Sequence, residues 1–381
     1  MLFFDIPGHE DTKSRLRQMA DSGHLPHALL LEGREGIGKF SLARAFAQYI
    51  GCTGRRPGDT DSCGKCPSCL HHQALAHIDT VWVYPVVKLE KMNTAPTSDD
   101  FHQEWKEFLQ GRTFMDIAAW TEQFEKRNAV PTIYVTESDS LIRKLSFESH
   151  ESVYKTVLWW LPEKMNQETS NKLLKLIEEP YKDTIFIMTS DRPRDLLPTV
   201  YSRLQRISVN PYSDEDIADY LVERRGLPRQ EAEEISRLAQ GSMNEALAAI
   251  SVSKRKALMF EQFKQLMRLA YQRNVIELRK WAAELASTGR EQQLDFYNYS
   301  IRLLRENFMN NFGEAELVFM NDSEKQFGSR FSRFICERNI EQLAALFDEA
   351  REDIAANGNG KIINLDVALK VIVLLIPPKQ S

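Results

Sequence analysis

Three things are scarce in this chain, and each closes off a class of function. Long apolar runs are missing: the longest candidate, Leu365 to Ile376, is broken by Asp366 and Lys370. It falls short of the ~20 residues that span a bilayer and reads as a buried C-terminal helix, so no membrane partner is expected. Positive charge is not in excess, with 49 Lys and Arg against 54 Asp and Glu and a formal net charge of -5. That balance argues against a dominant electrostatic grip on nucleic acid and leaves room only for a local basic face. Cysteine is sparse, five residues in all, and four of them crowd between positions 52 and 69. The fifth, Cys336, reads as a small buried apolar residue. The opening Met-Leu-Phe-Phe-Asp has no basic stretch ahead of an apolar one. No secretory leader is expected, and a cytoplasmic location is. What remains is an ordinary globular composition, 43% hydrophobic and 27% charged, long enough at 381 residues for two or three domains.

Residues Gly33 to Phe40 read Gly-Arg-Glu-Gly-Ile-Gly-Lys-Phe. A phosphate-binding loop wants Gly, four residues, Gly, Lys, then Ser or Thr. Gly33, Gly36, Gly38 and Lys39 supply the frame, and Phe40 stands where the Mg²⁺-holding hydroxyl belongs. The context is right: an apolar strand at His27 to Leu31 precedes the loop, and Ser41 to Ile50 reads as a helix. Backbone N–H groups of such a loop and the helix N-terminus favour a polyphosphate.

Further strands are expected at Thr80 to Val83, Thr132 to Val135, Thr156 to Trp160 and Thr184 to Thr189. Their alternation with helical sequence predicts a parallel α/β sheet. Between them, Lys88 to Val130 is irregular, with a polar loop at Asn93 to Asp100 and an amphipathic helix suggested by Phe114, Ile117, Ala118 and Phe124. After Pro211 the character turns all-helical, beginning with a capping box at Ser213 to Asp216 and punctuated by Gly226 and Gly241. Apolar stripes such as Phe260, Phe263, Met267 and Leu294, Tyr297, Ile301, Leu304 read as helix core.

Cys63, Cys66 and Cys69 at two-residue spacing, with Cys52 upstream, offer four thiolates. Clustered Cys without secretory signals reads as zinc. Four thiolates close the tetrahedral shell, so the site is expected to be structural. His71 and His72 stand close enough in sequence to replace one Cys, and Gly54, Pro57, Gly58, Gly64 and Pro67 suit tight turns.

A phosphate-loop ATPase also needs a carboxylate at a strand end to hold Mg²⁺. The candidate strand, Thr156-Val-Leu-Trp-Trp-Leu-Pro-Glu163, ends in Trp160 and Leu161. Glu163 reads as a surface residue on the next turn. Two Mg²⁺-linked positions are therefore lost, and they point the same way.

The stretch Asn166 to Pro180, with Leu-Leu-Lys and Glu178-Glu179-Pro180, resembles the clamp-loader branch of the AAA+ ATPases. So do Leu197-Pro-Thr-Val-Tyr-Ser202-Arg203, Leu25-Pro26-His27-Ala28, the loop and the four cysteines, in that branch's order. Asn357-Gly-Asn359 is similar to a turn of its collar domain. The resemblance covers about residues 5 to 250 well and the remainder more loosely. It implies an AAA+ domain over 1–210 with a zinc knuckle at 52–69, a helical lid over 211–253 and an all-α collar over 254–381. Motors of the branch keep Thr after the loop Lys and an acidic strand end, and usually place an Arg near Asn244. This chain has none of the three.

The resemblance thus implies an ATPase-deficient subunit of the bacterial DNA polymerase III clamp loader, inactive alone. Arg203 would act in trans as an arginine finger on a neighbour's ATP site. Gamma/tau motor subunits and the delta subunit are the implied partners, with the sliding clamp and primed DNA reached through the complex. For the loop itself two readings stand: ATP or ADP bound without hydrolysis, or an empty loop. Two rival functions remain, a motor that recruits Glu163 as its acid and a zinc-binding adaptor outside replication.

Overall fold

A computed structural model of the chain describes residues 1–56, 58–124, 130–311 and 319–375. Pro57 and Ile376, both used above, lie outside them, as does part of the 88–130 segment. Two compact units are present, Met1–Ala249 and Ile250–Ser381.

The first unit opens with α1 (Glu10–Asp21), then β1 (Ala28–Glu32), α2 (Lys39–Gly51), α3 (Pro67–Gln73) and β2 (Thr80–Val83). Next come α4 (His102–Leu109), α5 (Ile117–Thr121), α6 (Val135–Leu145), β3 (Lys155–Trp160) and α7 (Gln167–Glu178). β4 (Thr184–Ser190), α8 (Pro198–Tyr201), β5 (Gln205–Ser208), α9 (Asp214–Arg225) and α10 (Arg229–Ala239) complete it. The strands form one parallel sheet in the order β2-β3-β4-β1-β5. Register is explicit: Leu30 lies opposite Met188, and Trp159 opposite both Met188 and Val83.

Both sheet faces are covered, so the central strands read as unbroken apolar runs. Leu30, Val157, Trp159, Phe186 and Met188 pack with Leu141 of α6, Leu173 and Ile177 of α7 and Val200 of α8. The alternate residues Leu29, Leu31, Leu158 and Ile187 are also buried, and α2 packs on β3 and β4. The expected α/β class and parallel sheet are therefore present.

Local expectations fared unevenly. Thr132 to Val135 is not a sheet strand: Thr132 and Ile133 make only isolated bridges to Val86 and Met165, and Val135 opens α6. Its β-branched residues are used for one turn of pairing before the chain bends into a helix. The helix read through Phe114 and Phe124 is confined to Ile117–Thr121, capped by Asp116, whose side chain accepts from the Ala118 and Ala119 amides. Part of the loop expected at Asn93 to Asp100 is a single 3-10 turn over Ser98–Phe101. The fifth strand, Gln205–Ser208, was not anticipated, because only Ile207 is buried and the apolar signal is one residue long. The capping box at Ser213 and Asp216 is formed at α9, and Gly226 closes that helix in the left-handed region.

α11 (Met243–Tyr271) begins in the first unit and lies mostly in the second. There α12 (Val275–Ser287), α13 (Arg290–Asn310), α14 (Asp322–Phe331), α15 (Ile340–Ala355) and α16 (Gly360–Leu374) follow. Phe260, Phe263, Met267, Tyr297 and Leu304 are buried together in one core, as their spacing predicts. Cys336 is half-buried rather than fully buried. Among the described residues no helix is long and apolar enough to cross a membrane.

Candidate functional site

The loop leaves β1 at Gly33 and enters α2 at Lys39. Gly38 sits at φ +76°, and a Cβ there would come 2.6 Å from the Tyr212 hydroxyl. Glycine is required both by the left-handed backbone and by that close approach. Met243 N–H donates to the Gly36 carbonyl at 2.9 Å, and the Ile37 carbonyl lies 2.8 Å from His9 Nε2. Lys39 is 4% exposed. Its Nζ is 2.7 Å from Asp191 Oδ1 and also donates to the Arg34 carbonyl.

Phe40 is buried among Trp82, Trp105 and Trp160, with ring centroids 6.2, 5.9 and 6.1 Å away. Trp160 is the strand-end residue where a carboxylate was sought, so the two altered positions touch each other. Trp105 comes from α4, in the segment to which the sequence assigned no role. It stacks on Tyr84 at 3.9 Å and meets Trp120 of α5 at 5.1 Å.

Glu163 is not the surface residue expected. It is half-buried, and one of its carboxylate oxygens accepts from the Asp191 and Arg192 amides at 2.8 and 3.0 Å. Burial pushes its carboxyl above the usual range. Asn244 also turns away from a cationic role, donating to the Met115 carbonyl at 2.7 Å.

At the other end of α2, Cys52 is the C-cap residue. Cys66 is the N-cap of α3, with Pro67 at the first helical position. The four sulfurs of Cys52, Cys63, Cys66 and Cys69 lie within 4.8 Å of one another. Cys52 to Cys66 and Cys63 to Cys69 are each 3.9 Å, close to the about 3.8 Å edge of a tetrahedron with zinc–sulfur bonds of ~2.3 Å. Amides of Cys63, Cys66 and Cys69 donate to the sulfurs of Cys52, Cys63 and Cys66 at 3.3 to 3.4 Å. A Cβ on Gly54 would come 2.8 Å from Cys63 Sγ, so glycine makes room there. This donor set fits a structural zinc ion, with backbone N–H groups supporting thiolate charge. Neither histidine joins it: His71 Nδ1 lies 2.8 Å from Glu151, and His72 stacks on His77 at 4.1 Å.

Arg203 follows α8 at the surface. Its guanidinium pairs with Glu178, the last residue of α7, and Nη1 donates to the Thr199 carbonyl at 2.6 Å.

The model of the family described as DNA polymerase III, delta subunit matches residues 8–213. The chain belongs to that family. Its curated relatives include DNA polymerase III subunit delta′ of Bacillus subtilis, 25% identical over 61% of this chain and 56% of the relative. The same subunit of Pseudomonas aeruginosa is 28% identical over 66% of this chain and 64% of the relative. The chain thus spans between about half and two thirds of these relatives' length. A solved gamma subunit-related protein of DNA polymerase III from Thermotoga maritima aligns over 96% of this chain and 99% of its own, at 14% identity and a TM-score of 0.36. That likeness is too distant to bear on the argument. Family membership agrees with the clamp-loader resemblance read from the Asn166 to Pro180 stretch, the loop, the cysteines and the Ser202-Arg203 pair.

Nothing in the sequence pointed Asp191, His9 or Tyr212 to the loop, and Phe114 was read only as part of a helix. None falls within a motif, and only the fold brings them to the loop.

Proposed function

We propose that this chain is an ATPase-deficient subunit of the DNA polymerase III clamp loader that donates Arg203 to an adjacent ATP site. The carrying observation is the contrast between Arg203 and Phe40. Arg203 is at the surface on a short turn, whereas the chain's own Mg²⁺-linked positions, Phe40 and Trp160, form a buried aromatic contact. A guanidinium supplied across an interface stabilises charge on a transferring phosphoryl group and is worth about 10³–10⁵ in rate. Its pair with Glu178 is half-exposed and of the kind that contributes little, so exchange for a phosphate costs little. Gamma/tau motor subunits and the delta subunit are the partners, and the clamp and primed DNA are reached through the complex. The 211–253 region acts as a lid and 254–381 as a collar for assembly. Zinc at the four cysteines supplies folding energy at the end of α2 and leaves no open position for chemistry.

The test is ATP turnover by an assembly reconstituted with motor subunits and primed DNA. Arg203→Ala is expected to lower turnover by about 10³, while Lys39→Ala in this chain leaves it unchanged. The reverse pattern would replace this reading with the motor. Failure of the chain to associate with the other subunits would leave the adaptor reading.

A further inference from the structure

We propose that the segment from Ser98 to Phe124 is a built-in plug for the phosphate loop, which makes this chain's own loop closed to nucleotide. This concerns the chain's own site and is independent of what Arg203 does for a neighbour.

Space is the first argument. The void lined by Gly36, Gly38, Lys39, Phe40, Met115, Trp160, Thr189 and Asp191 is about 20 Å³, room for roughly one water molecule and not for a phosphate chain. The segment forms part of its wall and ties it down. Ser41 Oγ donates to the Thr113 carbonyl, and Asn244 Nδ2 to that of Met115. Between them the Phe114 ring meets Tyr212 and Tyr220 edge-on, at 6.1 and 5.5 Å. α4 then lays Trp105 against Phe40 and Trp160, and Phe108 against Trp160, with centroids 5.5 to 6.4 Å apart. An aromatic cluster thus fills the ground between the two positions that hold the metal in an active site.

Charge is the second argument. The Asp191 carboxylate is already on Lys39, where a phosphate oxygen would go. Asp116, from the plug, and Glu35, from the loop, add carboxylates nearby. Burial, helped by Asp191 and Asp116, raises the Glu35 carboxyl above its ordinary range. A polyphosphate would have to displace an internal anion and enter a site with acidic neighbours. Loss of the loop hydroxyl alone would weaken Mg²⁺ binding and leave the loop open. Here the segment closes it.

The experiment is titration of the full chain with the fluorescent analogue methylanthraniloyl-ADP, with and without Mg²⁺. No saturable binding is expected up to about 1 mM. Saturable binding to the unaltered chain that disappears in Lys39→Ala overturns the proposal. Asp191→Asn combined with Phe114→Ala removes the carboxylate charge from Lys39 and the aromatic cover from the loop. That variant is expected to gain at least about tenfold in affinity, because apparent affinity scales with the open fraction. A folded double variant that still does not bind overturns the assignment of the block to the segment. Should the variant not fold, hydrogen exchange of the unaltered chain decides. Amides of residues 36–39 and 113–116 are expected to exchange at the same rate with and without ADP, and slowing by ADP overturns the plug. All of these use the free chain, so their failure is separable from failure of the finger reading.

Discussion

The two ends of α2 make a useful pair. At its C-terminal end the chain turns through Cys52, and four sulfurs converge within 4.8 Å with backbone amides aimed at three of them. At its N-terminal end the phosphate loop keeps its glycines and lysine. There, Lys39 is paired internally and Phe40 is packed among tryptophans. Both ends carry a recognisable motif: at one the sulfurs converge, and at the other the loop lysine is paired within the chain. A motif's residues are necessary, and what decides its use is whether neighbouring elements leave the donors convergent and unspent. The cysteine loop is local, so its geometry is set by its own turns. The phosphate loop is bordered by residues distant in sequence, among them His9, Phe114, Asp191, Tyr212 and Ser242 to Asn244, so its surroundings are set by the fold.

The largest effect tests the open end. Purified protein should carry one zinc per chain by elemental analysis. Cys69→Ser or a strong chelator should lower the melting temperature sharply, on the scale of the about 10–16 kcal/mol by which zinc stabilises small zinc peptides. Metal-free protein with an unchanged melt would remove the contrast altogether.

The closed end should respond to loss of packing. Trp105 is 1% exposed and touches Phe40, Tyr84, Phe108, Trp120 and Trp160. Trp105→Ala should cost about 3–5 kcal/mol in chemical denaturation. A cost below about 1 kcal/mol would mean the cluster is not consolidated.

A third prediction uses pH. Glu137 of α6 accepts from the Ser98 amide at 2.6 Å, at the root of the segment. Burial pushes its carboxyl up to about 7 from an ordinary value of 4.5. The folded state therefore holds a proton that the unfolded state has released, so stability should fall as pH rises from about 4.5 to about 7 and level off above. The contribution is at most about 3 kcal/mol. Glu137→Gln keeps an acceptor for Ser98 and should flatten that slope in denaturation curves across pH. An unchanged slope would assign it to other groups.

The smallest effect concerns the finger. Glu178→Gln should shift stability by no more than about 1 kcal/mol, because the pair is half-exposed. Turnover of the reconstituted assembly should hold or rise as Arg203 is released. A drop would show that Glu178 is needed to aim the guanidinium.

Much of this was legible from residue order alone. The strands read at His27 to Leu31, Thr156 to Trp160 and Thr184 to Thr189, alternating with helical sequence, announced a parallel sheet, and the structure buries their central residues on both faces. The cysteine spacing announced its cluster, and Ser213 with Asp216 announced a helix start. Errors came where signals were short or borrowed. β5 buries one residue, Thr132 to Ile133 pair for a single turn, and Phe114 and Phe124 are apolar because they pack across to Tyr212 and Phe101, not because a helix joins them.

The loss of the hydroxyl at position 40 and of the acid at the end of β3 was determined by sequence alone, since side-chain chemistry is written in residue identity. What filled the space was decided by tertiary structure. Trp105 is 65 residues from Phe40 and Asp191 is 152 from Lys39 along the chain, and their contacts exist only because the sheet order and the path of the 98–124 segment bring them together.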